Sequence, residues 1–152
     1  MILYHGSPVI VEYPEICITR FHKDFYYGFY TTVYPKQAVR WAVRFSGEGY
    51  VSEYSYTPNS ALRILTFPKM TEDWLDFIVS CRHGKSHDYD IVEGPMANDT
   101  IYNYVQDFID GNISRAAFWE LAKFKYPTHQ ISFHTARALE TIKFIKANNV
   151  RN

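Results

Sequence analysis

Cysteine is nearly missing from this chain: Cys17 and Cys81 are the two present, far apart and outside any CxxC. That excludes a disulfide framework and leads us to expect reduced thiols in a cytosolic protein. An excess of charge of either sign is missing too. Sixteen Lys and Arg balance sixteen Asp and Glu, so no overall field draws the molecule to nucleic acid or anionic lipid, although the balance does not exclude a local basic patch. Long apolar runs do not occur. The opening "MILYHGSPVIV" has no basic leader, is broken by His5 and falls short of the ~20 apolar residues of a membrane span. The chain therefore reads as soluble and cytoplasmic, with no membrane partner. Neither GxGxxG nor GxxxxGK[ST] is present, which disfavours Rossmann and P-loop phosphate cradles. No repeat, low-complexity stretch or linker divides residues 1–152, which have the size of a single domain and, at 47% hydrophobic, enough apolar surface for a core.

Aromatic residues are abundant, with thirteen Tyr and eleven Phe. Such rings either pack a core with their polar tips outward or offer flat faces for stacking a ligand. The apolar pattern predicts a mixed α/β chain of around six strands and five helices, not strictly alternating. "MILYH" reads as a short strand stopped by Gly6-Ser7-Pro8. After Pro35, Ala38, Trp41, Ala42 and Phe45 mark an amphipathic helix. "GYVSEYSY" (49–56) and "LRILTF" (62–67) are strand candidates. Thr71 is the expected N-cap of a helix over 71–82, with Glu72 and Asp73 in its first turn and Trp74, Phe77, Ile78 and Cys81 as its buried stripe. "YDIVEGP" (89–95) predicts a strand, Ile101 to Phe108 a helix ending at Gly111, and Ser114 the cap of a short helix through Lys123. "QISFHT" (130–135) alternates as a strand, and "ARALETIKFIKA" predicts a closing helix with Leu139, Ile142 and Ile145 inward.

Few residues suggest chemistry on their own. His5, at a strand end beside Gly6, is either a satisfied structural histidine or a site residue. Tyr30, in "GFYTT" (28–32), is either a core tyrosine or a stacking face with a hydroxyl to spare. Cys81, His83 and His87 lie close in sequence but lack a second ligand pair, so no metal site is expected. Ser7 with His5 makes no hydrolase triad, because no GxSxG elbow or oriented base accompanies them.

The ordered series "LYHGS", "KDFYYGFYTTVYPKQAVRWA", "WLDFIVSCR", "YDIVEGPMAND" and "QISFHTARALETIKF" resembles the ADP-ribosyltransferase superfamily and, within it, the bacterial DUF3990 group. The resemblance implies an α+β, ADP-ribosyltransferase-like fold with a mixed, split β-sheet core and flanking helices. It implies NAD as co-substrate, with His5, Tyr30 and Gln130 in the places of the superfamily's His-Tyr-Glu set. His5 would hydrogen bond the adenine-side ribose, Gly6 would approach the nicotinamide carboxamide, Tyr30 would stack on the nicotinamide ring, and Gln130 would bind the nicotinamide ribose. Ser7, Gly28 and Thr31 join Gly6 as candidate cofactor-binding positions. Asn98 and Asp99, opening a helix, either cap it or face the cleft. In the second case Asp99, or less readily Asp24, would supply the carboxylate that Gln130 lacks. Arg20 and Lys23 either meet the pyrophosphate or are solvated.

Two positions depart from the pattern. Gln130 is neutral and cannot act as a general base. The narrower group carries glycine where Tyr26 stands in "DFYYG", so the loop here is either stiffer or gains a ring. The expected activity is mono-ADP-ribosyl transfer to a macromolecular acceptor, protein or nucleic acid, by a toxin or defence effector with an antitoxin or inhibitor protein as partner. The alternatives are an NAD glycohydrolase and a non-catalytic module that binds NAD, ADP-ribose or a protein.

Overall fold

A computed structural model describes residues 1–18, 24–97, 99–122 and 128–152, with the main chain alone for residues 99 and 100. In chain order the elements are β1 (Ile2–Ser7), β2 (Phe29–Thr31), α1 (Pro35–Val43), β3 (Glu48–Tyr56), β4 (Ile64–Thr66), α2 (Glu72–Arg82), β5 (Ile91–Gly94), α3 (Asp99–Ile109), α4 (Arg115–Ala122), β6 (Gln130–Phe133), α5 (Ala136–Leu139) and β7 (Ile142–Arg151). The strands form two open sheets, so the fold is α+β. Sheet one is antiparallel, in the order β1-β3-β7, and sheet two runs β2-β6-β5-β4 with only β4 and β5 parallel.

Alternation along the strands sorts side chains into three apolar layers. Leu3, Tyr54 and Ile142 of sheet one meet Phe29, Ile131 and Phe133 of sheet two, so the main core lies between the sheets. The opposite face of sheet two, through Val92, packs on Trp74 and Ile78 of α2, Ile101 and Val105 of α3 and Phe118 of α4. The outer face of sheet one carries α1 through Ala38, Ala42 and Val51. Among the described residues the sheets join at one seam, where Tyr4 and Thr32 exchange main-chain hydrogen bonds of 2.8 and 2.9 Å.

Helix α1 sits unusually close to its sheet, and two glycines permit this. A Cβ on Gly6 would fall 1.9 Å from the Ala38 carbonyl oxygen, and one on Gly49 would fall 2.2 Å from that of Ala42. Both distances are far inside contact, so only glycine fits under this helix. Pro35 starts α1, where its missing N–H costs nothing. Thr71 caps α2 as its position predicts, its Oγ1 accepting from Trp74 N at 3.3 Å, and Ser114 Oγ accepts from Ala117 N ahead of α4.

The C-terminus departs from expectation. Residues 136–147 do not form one helix: α5 is a single turn capped by Thr135, and the chain then extends as β7 along the free edge of β3. Leu139, Ile142 and Ile145 fit a helical period, but Ile142 and Phe144 equally fit a period of two. Pairing with β3 from Tyr56↔Ile142 to Glu48↔Arg151 decides in favour of the strand. Ile142 is buried, whereas Ile145 is 48% exposed, just where the register with β3 shifts at Glu53/Tyr54.

Candidate functional site

His5 sits on the seam. Its Nδ1 lies 2.7 Å from the Tyr30 carbonyl oxygen. A carbonyl can only accept, so Nδ1 carries the proton. The half-buried imidazole packs on Phe29 at 4.4 Å between ring centroids. Thus β1 and β2 bring His5 to the main chain of Tyr30, while strand alternation sends the Tyr30 side chain to the other face of sheet two. There it is in register with Ser132, and Gln130 lies two residues away on the same face.

The Tyr30 hydroxyl is occupied by its own loop. It accepts from Phe25 N at 3.0 Å and donates to the Tyr26 carbonyl at 2.5 Å. Burial, with the Asp24 charge nearby, pushes its pKa well above the ordinary tyrosine value. Tyr26, the residue it holds, has φ +77°, the region where glycine is strain-free and a bulky side chain is not. The expectation of glycine at this position thus has a conformational basis.

Gln130 opens β6 at 3% exposure, its Nε2 3.4 Å from Asp24 Oδ2. Asp24 is the hub. Its other oxygen accepts from Arg82 Nε at 3.1 Å and Nη2 at 2.5 Å, and Ala97 N donates to Oδ2 at 3.0 Å. Of the two carboxylates considered for Gln130, Asp24 lies beside it. Arg20, Lys23 and Asn98 lie outside the described residues, as does the side chain of Asp99. Arg82 neutralises Asp24 and stacks over Tyr102 at 4.0 Å. The cluster is thus a buried ion pair whose remaining hydrogen-bonding capacity is taken up by the Ala97 main chain and the Gln130 amide.

The remaining candidates are dispersed. Ser7 Oγ accepts from Val9 N in the turn after β1. Thr31 is fully buried between the sheets and donates to the Ile131 carbonyl at 2.9 Å. Gly28 lies against His134, whose Nδ1 would be 2.8 Å from a Cβ placed there. The Cβ direction of Gly6 points into α1. Cys81 faces the core, with burial pushing its thiol up to about 12, and His83 is exposed at the C-cap of α2. His87 donates from Nε2 to the Phe25 carbonyl at 2.9 Å.

Two arrangements escaped sequence reasoning. The Arg82–Asp24 pair spans 58 residues. Gln37, buried in α1, grips the main chain of His129, donating to its carbonyl and accepting from its N–H at 3.3 Å, while His129 Nε2 meets Glu93 at 2.9 Å. No spacing rule links partners so far apart, and the stripe expected along α1 omitted Gln37 while including Phe45, which lies beyond the helix end and is exposed. A cleft of about 560 Å³ opens beside this clamp, lined by Tyr34, Pro35, Lys36, Gln37 and Arg40.

Two open sheets packed face to face and bridged at one seam, with helices on both outer faces, define an α+β protein whose candidate site is a His–Tyr–Gln set around that seam. The chain belongs to the family described as "Protein of unknown function (DUF3990)", whose model matches residues 1–144. Compared with the curated proteins, the chain has no match.

Proposed function

We propose that this protein is an NAD-dependent mono-ADP-ribosyltransferase with an ADP-ribosyltransferase-like fold, acting on a macromolecular acceptor. One observation carries the reading: β1 and β2 meet at the junction of a split sheet, with His5 hydrogen-bonded to Tyr30 and Gln130 on the adjoining strand of the Tyr30 face. The cleft lined by Lys36 and Arg40 adds support, because it lies against the Gln37 clamp one residue before Gln130 and presents cations suited to a pyrophosphate.

In the reaction, the bond between nicotinamide nitrogen and ribose C1′ breaks, its electron pair leaving with nicotinamide. A nucleophile on the acceptor forms the new bond to C1′ and loses its proton. Positive charge develops on the ribose, so groups that grip the sugar in that state contribute most. His5 and Gln130 would orient the two riboses and Tyr30 the nicotinamide. The proton of the acceptor would leave to a base that Gln130 cannot provide.

A second reading has its own support. The Gln130 amide and the Tyr30 hydroxyl are both satisfied internally, and Asp24 is held by Arg82. That favours a binding module for NAD or ADP-ribose without turnover. The test is incubation with NAD labelled in its adenine half, with and without cell lysate. Nicotinamide release with label on a macromolecule is the expected result, reduced about tenfold or more in His5→Ala and Tyr30→Ala if each removes an interaction made in the transition state. Release without attachment to any macromolecule in lysate would indicate a glycohydrolase. Saturable binding without release would select the binding module, and unimpaired turnover in Tyr30→Ala would overturn the site.

A further inference from the structure

Sheet one ends on an open strand. In the order β1-β3-β7, β1 is bridged to sheet two through Tyr4 and Thr32, whereas β7 pairs on one side only among the described residues. We propose that β7 is a docking edge, taking an extended, acidic segment of a partner protein as a fourth strand of sheet one. The proposal does not depend on the NAD reading.

The register identifies the groups that would receive this strand. Asn152 N donates to the Gly47 carbonyl at 2.9 Å, so these two residues face each other as a hydrogen-bonded pair. Bonded and non-bonded pairs alternate along antiparallel strands. From Asn152 back to Lys146 the even-numbered residues therefore turn their main chain to β3, and Ala147, Asn149 and Arg151 turn theirs outward. The outward groups form a row of donors and acceptors of the kind that strand addition uses.

Charge then selects the occupant. The strand carries Lys143, Lys146 and Arg151 and no carboxylate. Lys146 and Arg151 meet Glu53 and Glu48 of β3 at 3.8 and 3.3 Å, but the two cations are 62% and 73% exposed, and pairs so exposed contribute little. Lys143 has no ion-pair partner among the described residues. A second copy of β7 would bring all these cations together with their counterparts on two adjacent strands, without a carboxylate on either, which opposes self-pairing. An incoming carboxylate would instead sit across each lysine from the β3 glutamates and continue the alternation of sign. The bulge beside Glu53 keeps Lys143 and Lys146 on the face that carries α1, and Phe144 and Ala147 on the core side. A segment alternating glutamate with valine fits both faces. A nucleic acid would meet the cations but leave the main-chain row unpaired, so a peptide is favoured.

The experiment is titration of the full chain with an end-blocked peptide alternating glutamate and valine, following the main-chain amide NMR signals of Ala147, Asn149 and Arg151. Saturable shifts of these amides, weakened by salt, are expected, and none with a peptide in which lysine replaces glutamate. Ala147→Pro removes an N–H that only the partner uses, at an edge position that tolerates proline, so the fold persists while affinity falls about tenfold, the order of one hydrogen bond. Lys146→Glu is expected to keep the fold and weaken binding by a similar factor. No saturable shift at millimolar peptide, equal binding of the lysine peptide, or unchanged affinity in both variants would each overturn the proposal. Self-association that Ala147→Pro abolishes would overturn it in favour of a second copy. Tighter binding of single-stranded DNA at the same amides would overturn it in favour of a nucleic acid.

Discussion

Asp24 is the residue on which most of the buried polar structure turns. It holds Arg82 by two hydrogen bonds, fixes the main chain at Ala97 and receives the Gln130 amide, all at about a tenth exposure or less. Removing one member of such a pair leaves the other charge buried and unmatched. Asp24→Asn is therefore expected to lower unfolding free energy by about 3–5 kcal/mol, read by urea denaturation, whereas Asp24→Asn with Arg82→Met should cost less than Asp24→Asn alone. A double variant as unstable as the single one would show that the charges are not what matters. His5, Tyr30 and Gln130 were named together through the family resemblance, and Asp24 only as a secondary carboxylate. Arg82 had no visible reason to matter, because its role depends on α2 aiming a side chain across 58 residues of sequence. Gly6 was read as making room for a ligand. The space it leaves is filled by the Ala38 carbonyl.

At the scale of elements, α1 and its sheet act as one unit because of that close approach. A Cβ on Gly6 or Gly49 must displace main-chain atoms, which cannot yield as a side chain would. Gly6→Ala and Gly49→Ala should each lift α1 and cost several kcal/mol, with thermal melts as the readout. Gly111→Ala serves as contrast: nothing lies within 4 Å of its Cβ position, so only its φ of +77° opposes the change and about 1 kcal/mol is expected. Equal losses at all three positions would contradict the packing explanation. The helices were legible where local chemistry sets them, as with Pro35 before α1 and Thr71 capping α2. The C-terminal strand was not, because β7 owes its form to the open edge of β3, a partner that no local window contains.

For the whole molecule, acid should be the destabilising direction, and it should act in two stages. Burial lowers the His134 pKa from its ordinary 6.5 to about 4, with His87 opposite, and His87 is itself lowered by burial. Between those values the unfolded chain binds protons that the folded one refuses. Stability is therefore complete above about pH 6.5 and falls as pH drops toward 4, by on the order of 3 kcal/mol from His134. Asp90 acts later. Arg137 holds its carboxyl well below the usual carboxylate range, a contribution present above pH 3.8 and lost below it. Urea midpoints measured from pH 8 to pH 3 should begin to decline near 6.5, and His134→Asn should flatten the first stage only. A midpoint constant down to pH 4 would show that His134 titrates normally.

The pairing of β3 with both β1 and β7 also sets an order of events. Sheet one joins strands that begin at Ile2 and finish at Arg151, while every strand of sheet two lies between Phe29 and Phe133. During synthesis, sheet two and its helices have all their residues before the last partner of β3 emerges. Until then β3 keeps an unpaired edge, and the long loop closure that ends this wait makes maturation slow compared with a helical chain of equal length. A histidine on the first strand is thus mounted on a frame that becomes rigid only when the last strand arrives.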